Sequence, residues 1–510
     1  MVFELNQEFY SYIVLSQVHK SNFDIWRYSI MKDKYVSTKL FINGSWVNSI
    51  KNETIDIHNP ANGDLIGNVS HARIEDLDLV LDSAQKGFLA WKKFSAFERS
   101  KIMRKAADIL KSRTKYIAKL MTIESGKPIA DAEIELGMGI DQIEWFAEEG
   151  RRAYGRIIPS RSKIVNQFVF KEPVGVVAAF TPWNWPVQQT ARKIAPALAA
   201  GCSIIVKGPE ETPTSTAEFV KAFDEAGIPK GTLNLVFGIP SEISKYLIPH
   251  PIVKKVTFTG STQVGKQLMS LAGLHMKKVT MELGGHSPAI ICEDANIETA
   301  VNVLVGTKFR NAGQICISPS RFLVHKKIYE KFLNLFVENV RSIKVGNGLE
   351  DDIKMGPLIH ERRLLSVESL VKDAVDKGAN IVTGGKRIGN KGYFFEPTVL
   401  TDVHKDSNLM NEEPFGPLAP ILSFNDIDDA VDEANRLEYG LAAYVYTKNL
   451  KLAQELGANI ESGQISINHH GLGLVENPFG GVKGSGIGSE MGAEGIEPYL
   501  NVKFISQIAL

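Results

Sequence analysis

Two rhythms of apolar and polar residues divide this chain of 510 residues. Near residue 40, FINGSWV and IDIHNPANGDLIGNVS read as short strands around Asn-Gly turns, which predicts two hairpins. Residues 97–123 carry Ile102, Met103, Ala106, Ile109 and Leu110 at helical spacing and then meet Gly126 and Pro128, a stop signal, so one helix is predicted there. From 174 to 281 the runs GVVAAFT, CSIIVK, LNLVFG, KKVTFT and KKVTME read as strands, and the stretches 214–226 and 263–272 between them are long enough for crossover helices. Continuous apolar strands separated by helices imply a parallel sheet covered on both faces, with ligands at the carboxyl ends of its strands. A second alternating series follows Glu282. Asp294 or Asn296 is placed to cap a helix with Ile297, Ala300, Val301, Leu304 and Val305 on one face, and strand RFLVH, helix 328–340 and strand IVTGG come after it. The segment 477–492, NPFGGVKGSGIGSEMG, is too rich in glycine for a regular element and is expected to be a loop suited to close backbone approach or a subunit contact. The predicted class is α/β: a Rossmann-type cofactor domain and a second α/β domain joined by short connections.

Composition narrows the partners. Lys+Arg and Asp+Glu both number 58, which removes any bulk electrostatic reason to bind nucleic acid or an anionic membrane. The longest mostly apolar stretch, 195–206, falls well short of the roughly 20 residues that cross a bilayer. Three cysteines, at 202, 292 and 316, are too few and too scattered for a disulfide framework or a metal cluster, so a reducing, cytoplasmic setting without a metal is expected. Residues 1–35 read as an N-terminal extension. They begin with Glu4 rather than a basic run and lack a small-residue cleavage site, and Met31 is an alternative start.

Three residues carry the first chemical signal. Cys316 follows the predicted end of a helix at 311–313, so a turn would present its thiol, whereas Cys202 and Cys292 sit inside apolar strand-like runs and read as small buried hydrophobes. Glu282 ends KKVTME just before Leu-Gly-Gly, where its carboxylate would reach the crevice; a surface carboxylate or salt bridge is the alternative. Asn184 in FTPWNWP follows a strand and could donate to a developing oxyanion, or simply shape a turn. The run GSTQVGKQ at 260–267 nearly spells a phosphate-cradling P-loop, with Gln267 where Ser or Thr should bind magnesium. The other mechanism open to it is a helix N-terminus facing a dinucleotide pyrophosphate, and the motif alone does not choose.

The combination does choose. Cys316, Glu282 and Asn184, with FTGST, MELGG, GQIC and EPFGP in this order and spacing, resemble the NAD(P)-dependent aldehyde dehydrogenase superfamily over roughly residues 40–507, most of all its succinate-semialdehyde dehydrogenase branch. The resemblance implies Cys316 as nucleophile, Glu282 as the base for water, and Asn184 with the backbone N–H of Cys316 as the oxyanion hole. Lys193 and Glu490 match a proton relay. The implied cofactor contacts are Thr181, Trp183, Lys207, Glu210, Gly260, Ser261, Leu283, Glu413 and Phe415, and the charge of Glu210 at the adenosine ribose points to NAD rather than NADP. Implied domains are 36–150 with 174–284 for the cofactor, 285–484 for catalysis, and a β-hairpin arm at 151–173 with a C-terminal strand in 485–510. These last two imply a homodimer or homotetramer.

Three departures stand out: Gly208-Pro209 replaces the usual Pro-small pair, His286 stands where Lys is usual near the cofactor, and Ser489 replaces the Arg that commonly precedes Glu490. Arg192 and Arg310 match arginines of the succinate-semialdehyde branch and are expected in one substrate tunnel, where two guanidinium groups would hold a distal carboxylate. A third carboxylate contact, a Ser before PFGG, has no clear match in HHGLGLVE at 469–476, and Ser318 stands where some members carry a second cysteine. The expected activity is oxidation of a small aldehyde, succinic semialdehyde foremost, with other semialdehydes and neutral or aromatic aldehydes as alternatives. A P-loop-like nucleotide hydrolase and a non-enzymatic binding protein are the rival classes.

Overall fold

The computed structural model describes residues 35–508; the expected N-terminal extension and alternative start lie outside them. Both hairpins form. Leu40–Ile42 pairs with Ser45–Val47 through Asn43 and Gly44, whose φ values of 52° and 71° are those a type I′ turn requires, and Thr54–His58 pairs with Leu65–Ser70. The single helix expected over 97–123 is two, Ala96–Ser112 and Thr114–Ser125. Hydroxyls around the break take backbone carbonyls: Ser112 Oγ donates to Ile109 O (2.7 Å) and Thr114 Oγ1 to Lys111 O (3.0 Å), a competition that favours helix ends. Gly126, at φ 77°, then closes the second helix in the left-handed conformation.

The five predicted strands form the parallel heart of an eight-stranded sheet, in the spatial order Leu233–Val236, Ser203–Lys207, Val176–Phe180, Val253–Thr259, Lys278–Glu282. The chain builds outward from Val176–Phe180 in one direction and then returns to lay Val253–Thr259 on its other side. Such a reversal opens a crevice at the carboxyl ends. The glycine-rich segment is not wholly loop, because Gly486–Ile487 joins this sheet beside Lys278–Glu282.

A seven-stranded sheet makes the second layer system. Its order is Asn380–Thr383, Thr398–Thr401, Leu418–Phe424, Pro319–His325, Ser287–Ile291, Ala442–Tyr446, Gln464–Ile467, all parallel except the first at its edge. Asn296 caps helix Ile297–Phe309 by accepting from Thr299 N (3.1 Å), whereas Asp294 binds the Thr447 hydroxyl (2.8 Å) and Lys448 N (2.9 Å). A third sheet is an antiparallel arm of Arg156–Ile158, Val165–Pro173 and Leu500–Ile508, with Ile157, Val502 and Phe504 exposed. No helix among the described residues is long and apolar enough to cross a membrane.

The two large sheets meet end to end. Glu282 closes a first-sheet strand, and Ser287, Pro319 and Leu418 open second-sheet strands just after the MELGG, GQIC and EPFGP motifs. The motifs therefore gather in one cleft, at the carboxyl ends of one sheet and the amino ends of the other. Cys202 and Cys292 stand one residue outside the strands expected to hold them, both buried, and burial pushes their thiols up to about 11 and about 12.

Candidate active site

Helix Ile297–Phe309 ends in a tight turn at Arg310–Gly313, where Asn311, Ala312 and Gly313 take φ values of 49°, 53° and 72°. Left-handed backbone at two non-glycine residues is strained and persists only where neighbours over-determine it. Here they do: Asn311 Nδ2 donates to Asn184 O (3.1 Å), Gln314 Nε2 donates to Asn311 O (3.0 Å), and Gln314 Oε1 accepts from Ile359 N (3.0 Å). Gly313 packs so closely that a Cβ there would collide with the carbonyl of Gly416. The turn delivers Cys316, partly exposed, into the cleft. Burial pushes its thiol up to about 12; the Arg192 guanidinium pulls the other way, and Glu413 and Glu282 add to the rise.

Asn184 is buried against the cysteine loop and donates through Nδ2 to Gln314 O (3.1 Å), which leaves the second amide N–H uncommitted. Glu282 is 2% exposed and neither carboxylate oxygen has a partner among the described residues. Burial and the like charge of Glu490 hold its carboxyl well above the usual range. Behind it Lys193 and Glu490 form a buried ion pair, to which Thr257 Oγ1 donates (3.3 Å).

The residues implied for a cofactor converge on the crevice between Val176–Phe180 and Val253–Thr259. Thr181, Lys207 and Gly260 follow or end adjacent strands, and Lys207 forms an ion pair with Glu210. Ser261 caps helix Thr262–Leu274 by accepting from Val264 N (3.4 Å). Leu283 packs against Gly265, whose missing side chain makes the room. Glu413 accepts from Gly285 N (3.2 Å), and burial pushes its carboxyl up to about 7. Phe415, at φ 39°, meets the Trp183 ring edge-on at 5.6 Å. A helix N-terminus for phosphates and carboxylates for ribose hydroxyls are the donor and acceptor set a dinucleotide needs, so these residues fit one. The P-loop alternative fails here: the helix already begins at Thr262, and Lys266 lies exposed within it instead of cradling a phosphate. His286 is a core residue, its ring bonded to Ser320 Oγ (2.7 Å) and Leu409 O (3.0 Å).

A cavity of ≈ 60 Å³ reaches Cys316 and is lined by both predicted arginines, together with Trp185, His470, Leu472 and Phe479. Arg192 is 2% exposed and lies over the Phe479 ring at 4.1 Å; its Nε and Nη1 have no hydrogen-bond partner among the described residues. Arg310 donates through Nε to Asp131 (3.0 Å) and lies over the Trp185 ring at 4.8 Å, with Nη2 unpartnered. Trp185 Nε1 and His470 Nδ1 are buried without partners as well. Sequence reasoning missed both. For His470 the signal was its place in the HHGLG run before PFGG, where only a missing serine was noted.

Comparison with known proteins agrees with this geometry. Residues 46–505 match the aldehyde dehydrogenase family. The chain is 43% identical over 468 residues to the mitochondrial succinate-semialdehyde dehydrogenase of Oryza sativa subsp. japonica, covering 92% of this chain and 89% of that protein. It is 42% identical over 475 residues to 4-(hydroxymethyl)benzenesulfonate dehydrogenase TsaD1 of Comamonas testosteroni, covering 93% and 99%. The crystal structure of succinate-semialdehyde dehydrogenase from Burkholderia pseudomallei superposes with a TM-score of 0.91 at 40% identity, covering 92% of this chain and 98% of that one. With the motif-bearing loops meeting in one cleft and the match running almost the length of the chain, this protein belongs to the aldehyde dehydrogenase family.

Proposed function

We propose that the chain oxidises aldehydes carrying a distal anionic group, with succinic semialdehyde as substrate and NAD as cofactor. The observation that carries this reading is the pair of guanidinium groups, Arg192 and Arg310, which line one cavity with Cys316 and keep buried nitrogens without hydrogen bonds among the described residues, Arg192 Nη1 and Arg310 Nη2 among them, while Arg192 Nε stands 3.9 Å from Glu490. Buried donors without acceptors are costly, and a carboxylate supplies the missing acceptors as charge-assisted hydrogen bonds. The relatives support it: the substrates in both quoted names carry a carboxylate or a sulfonate.

A neutral thiol is a poor nucleophile, so Cys316 must lose its proton to solvent before attack, and the Arg192 guanidinium favours the thiolate. Attack on the aldehyde carbon places a negative oxygen beside Asn184, whose free amide N–H and the Cys316 backbone N–H hold it. When bound along Lys207, Glu210, Ser261 and Glu413, NAD supplies the hydride acceptor. Glu282 then draws a proton from water attacking the Cys316 thioester, the C–S bond breaks, and the acid and the Cys316 thiolate are released. Lys193 and Glu490 stand behind Glu282 as the relay for that proton. Glu210 supports NAD over NADP by charge repulsion of a 2′-phosphate. The exposed apolar arm supports self-association as a homodimer or homotetramer.

The test is a panel of succinic and glutaric semialdehydes, a formylbenzenesulfonate and propanal. Losing one charged hydrogen-bond partner costs on the order of 1.5 to 3 kcal/mol, so Arg310→Ala should lower kcat/KM for succinic semialdehyde about 10- to 150-fold and spare propanal, and Arg192→Ala, which also removes the cation beside Cys316, should cost succinic semialdehyde more than propanal. A wild-type preference for propanal, or equal losses on both classes, overturns the anion reading and leaves the family assignment standing.

A further inference from the structure

The Ser-Gly-Lys-Pro run at 125–128, read from sequence only as a helix stop, also places a lysine in the interior. Lys127 is 1% exposed and Glu135, on helix Ile129–Glu149, is 0% exposed; the two form an ion pair. Lys127 Nζ also donates to the backbone carbonyl of Asn184 (2.8 Å) and lies over the Trp185 ring at 4.8 Å. Glu135 Oε1 accepts from Val187 N (2.9 Å) and Gln188 N (3.2 Å). These are first-turn amides of helix Pro186–Ala200, whose own N-cap residue, Trp185, makes no side-chain cap. A carboxylate from another helix thus satisfies a helix N-terminus that the local sequence leaves open.

The lysine is itself held from three sides. Gly126 reaches φ 77° against Pro357, and Gly348 and Gly356 approach the carbonyls of Lys127 and Gly126 so closely that a Cβ at either would collide with them. Ile129 N donates to Gly348 O (3.0 Å). Asn184 and Asn311 share this scaffold, since the Asn184 carbonyl accepts from both Lys127 Nζ and Asn311 Nδ2. That carbonyl is the point where the cysteine turn, the amide-bearing loop and the arginine-bearing helix are tied together.

We infer that Lys127 and Glu135 are positioning residues for the proposed reaction: their buried pair fixes the Asn184 loop so that its side-chain amide is aimed at the oxyanion before charge develops. Preorganisation of this kind acts on turnover, because a donor that must reorient during the reaction gives back part of its stabilisation. The inference rests on the reading of Asn184 as oxyanion donor, so its test begins there. Asn184→Ala should lower kcat about 10²- to 10³-fold; an unchanged kcat would sink the oxyanion reading itself. Given that loss, Lys127→Met and the charge-free pair Lys127→Met with Glu135→Gln should each lower kcat about 10- to 100-fold, with KM and the Kd for NAD within about threefold. The charge-free pair leaves no buried charge uncompensated and carries the test where Lys127→Met alone does not fold.

Two further readouts separate positioning from general damage. Alkylation of Cys316 by iodoacetamide forms no oxyanion, so its rate should stay within about threefold in these variants. In the Asn184→Ala background the charge-free pair should cost no more than about threefold further in kcat, since the group it aims is already gone. Full multiplication of the two effects, a fall in alkylation matching the fall in kcat, or an unchanged kcat in the folded charge-free variant would each overturn the inference.

Discussion

Glu135 and Glu282 are both shut away from solvent, and their surroundings are opposite. Glu135 has a lysine on one oxygen and two backbone amides on the other. Glu282 has no partner on either oxygen among the described residues, and its nearest charges include another carboxylate, Glu490. The same contrast separates the cations: Lys127 is tied to a carboxylate, a carbonyl and an indole, whereas among the described residues Arg192 makes no hydrogen bond through Nε or Nη1 and has only a long ion pair, 3.9 Å, to Glu490. A buried polar group costs free energy unless it is paired, so paired ones build a scaffold and unpaired ones mark where something else must bind or react. On the proposed reading the wall behind Asn184 is scaffold, and the Cys316, Glu282 and Arg192 side of the cleft is reactive surface.

The largest effect that tests this division is expected at Cys316. Cys316→Ser should lose aldehyde oxidation, on the order of 10³-fold or more, yet bind NAD almost as wild type does, because an alkoxide is far harder to form than a thiolate near neutral pH. Retention of more than about a tenth of the rate in an NADH absorbance assay would remove Cys316 from its role.

Next comes Glu282→Gln, expected to give a burst of one NADH equivalent per active subunit and then stall, with the acyl thioester visible on Cys316 by mass spectrometry. In the wild type, thioester decay should slow as pH falls through the raised pKa of Glu282, since only the carboxylate accepts a proton. A decay rate indifferent to pH would assign the base elsewhere.

The cofactor effect should be smaller. NAD should be favoured over NADP about tenfold or more in kcat/KM, which corresponds to about 1.4 kcal/mol, and Glu210→Ser should narrow the gap. Equal use of both cofactors by the wild type would remove Glu210 as the discriminator.

The smallest effect is a difference of sign in stability. A carboxyl whose folded pKa is raised above its unfolded value, near 4.5, destabilises the fold once pH rises past that unfolded value, so Glu282→Gln should raise Tm at pH 8. Glu135→Gln should lower it, because it weakens a buried pair and leaves Lys127 short of a charged acceptor. Two Tm shifts of the same sign would erase the distinction drawn between scaffold and reactive surface.

Much of the cleft was readable in advance because its parts are punctuated locally. Glu282 ends its strand, Ser261 and Cys316 follow a strand or helix end, and a residue at or just past the end of an element in an α/β fold is delivered to a crevice. The helix expected over 97–123 broke at Arg113 because hydroxyls at Ser112 and Thr114 compete for carbonyls, a local effect outweighed in the reading by apolar spacing. His470 and Trp185 were missed for another reason. Nothing in their neighbourhoods says which way a loop side chain turns; only contacts made far along the chain decide it.

By itself the sequence determined the α/β class, the five-strand parallel series, the hairpins with their Asn-Gly turn, and the motifs around Cys316, Glu282 and Asn184 that carry the family resemblance. These depend on periodicity, turn chemistry and motif spacing, which act within a few tens of residues. Tertiary structure alone decided which charged groups are spent on each other. Lys127 meets Glu135 from the next helix and then Asn184 from a loop 57 positions away, and Lys193 finds Glu490 across 297. Arg192 lies over Phe479 with its Nη1 unbonded among the described residues and its Nε 3.9 Å from Glu490. Whether a buried charge is satisfied depends on which distant segments packing brings beside it, and that balance of burial and pairing separates scaffold from reactive site.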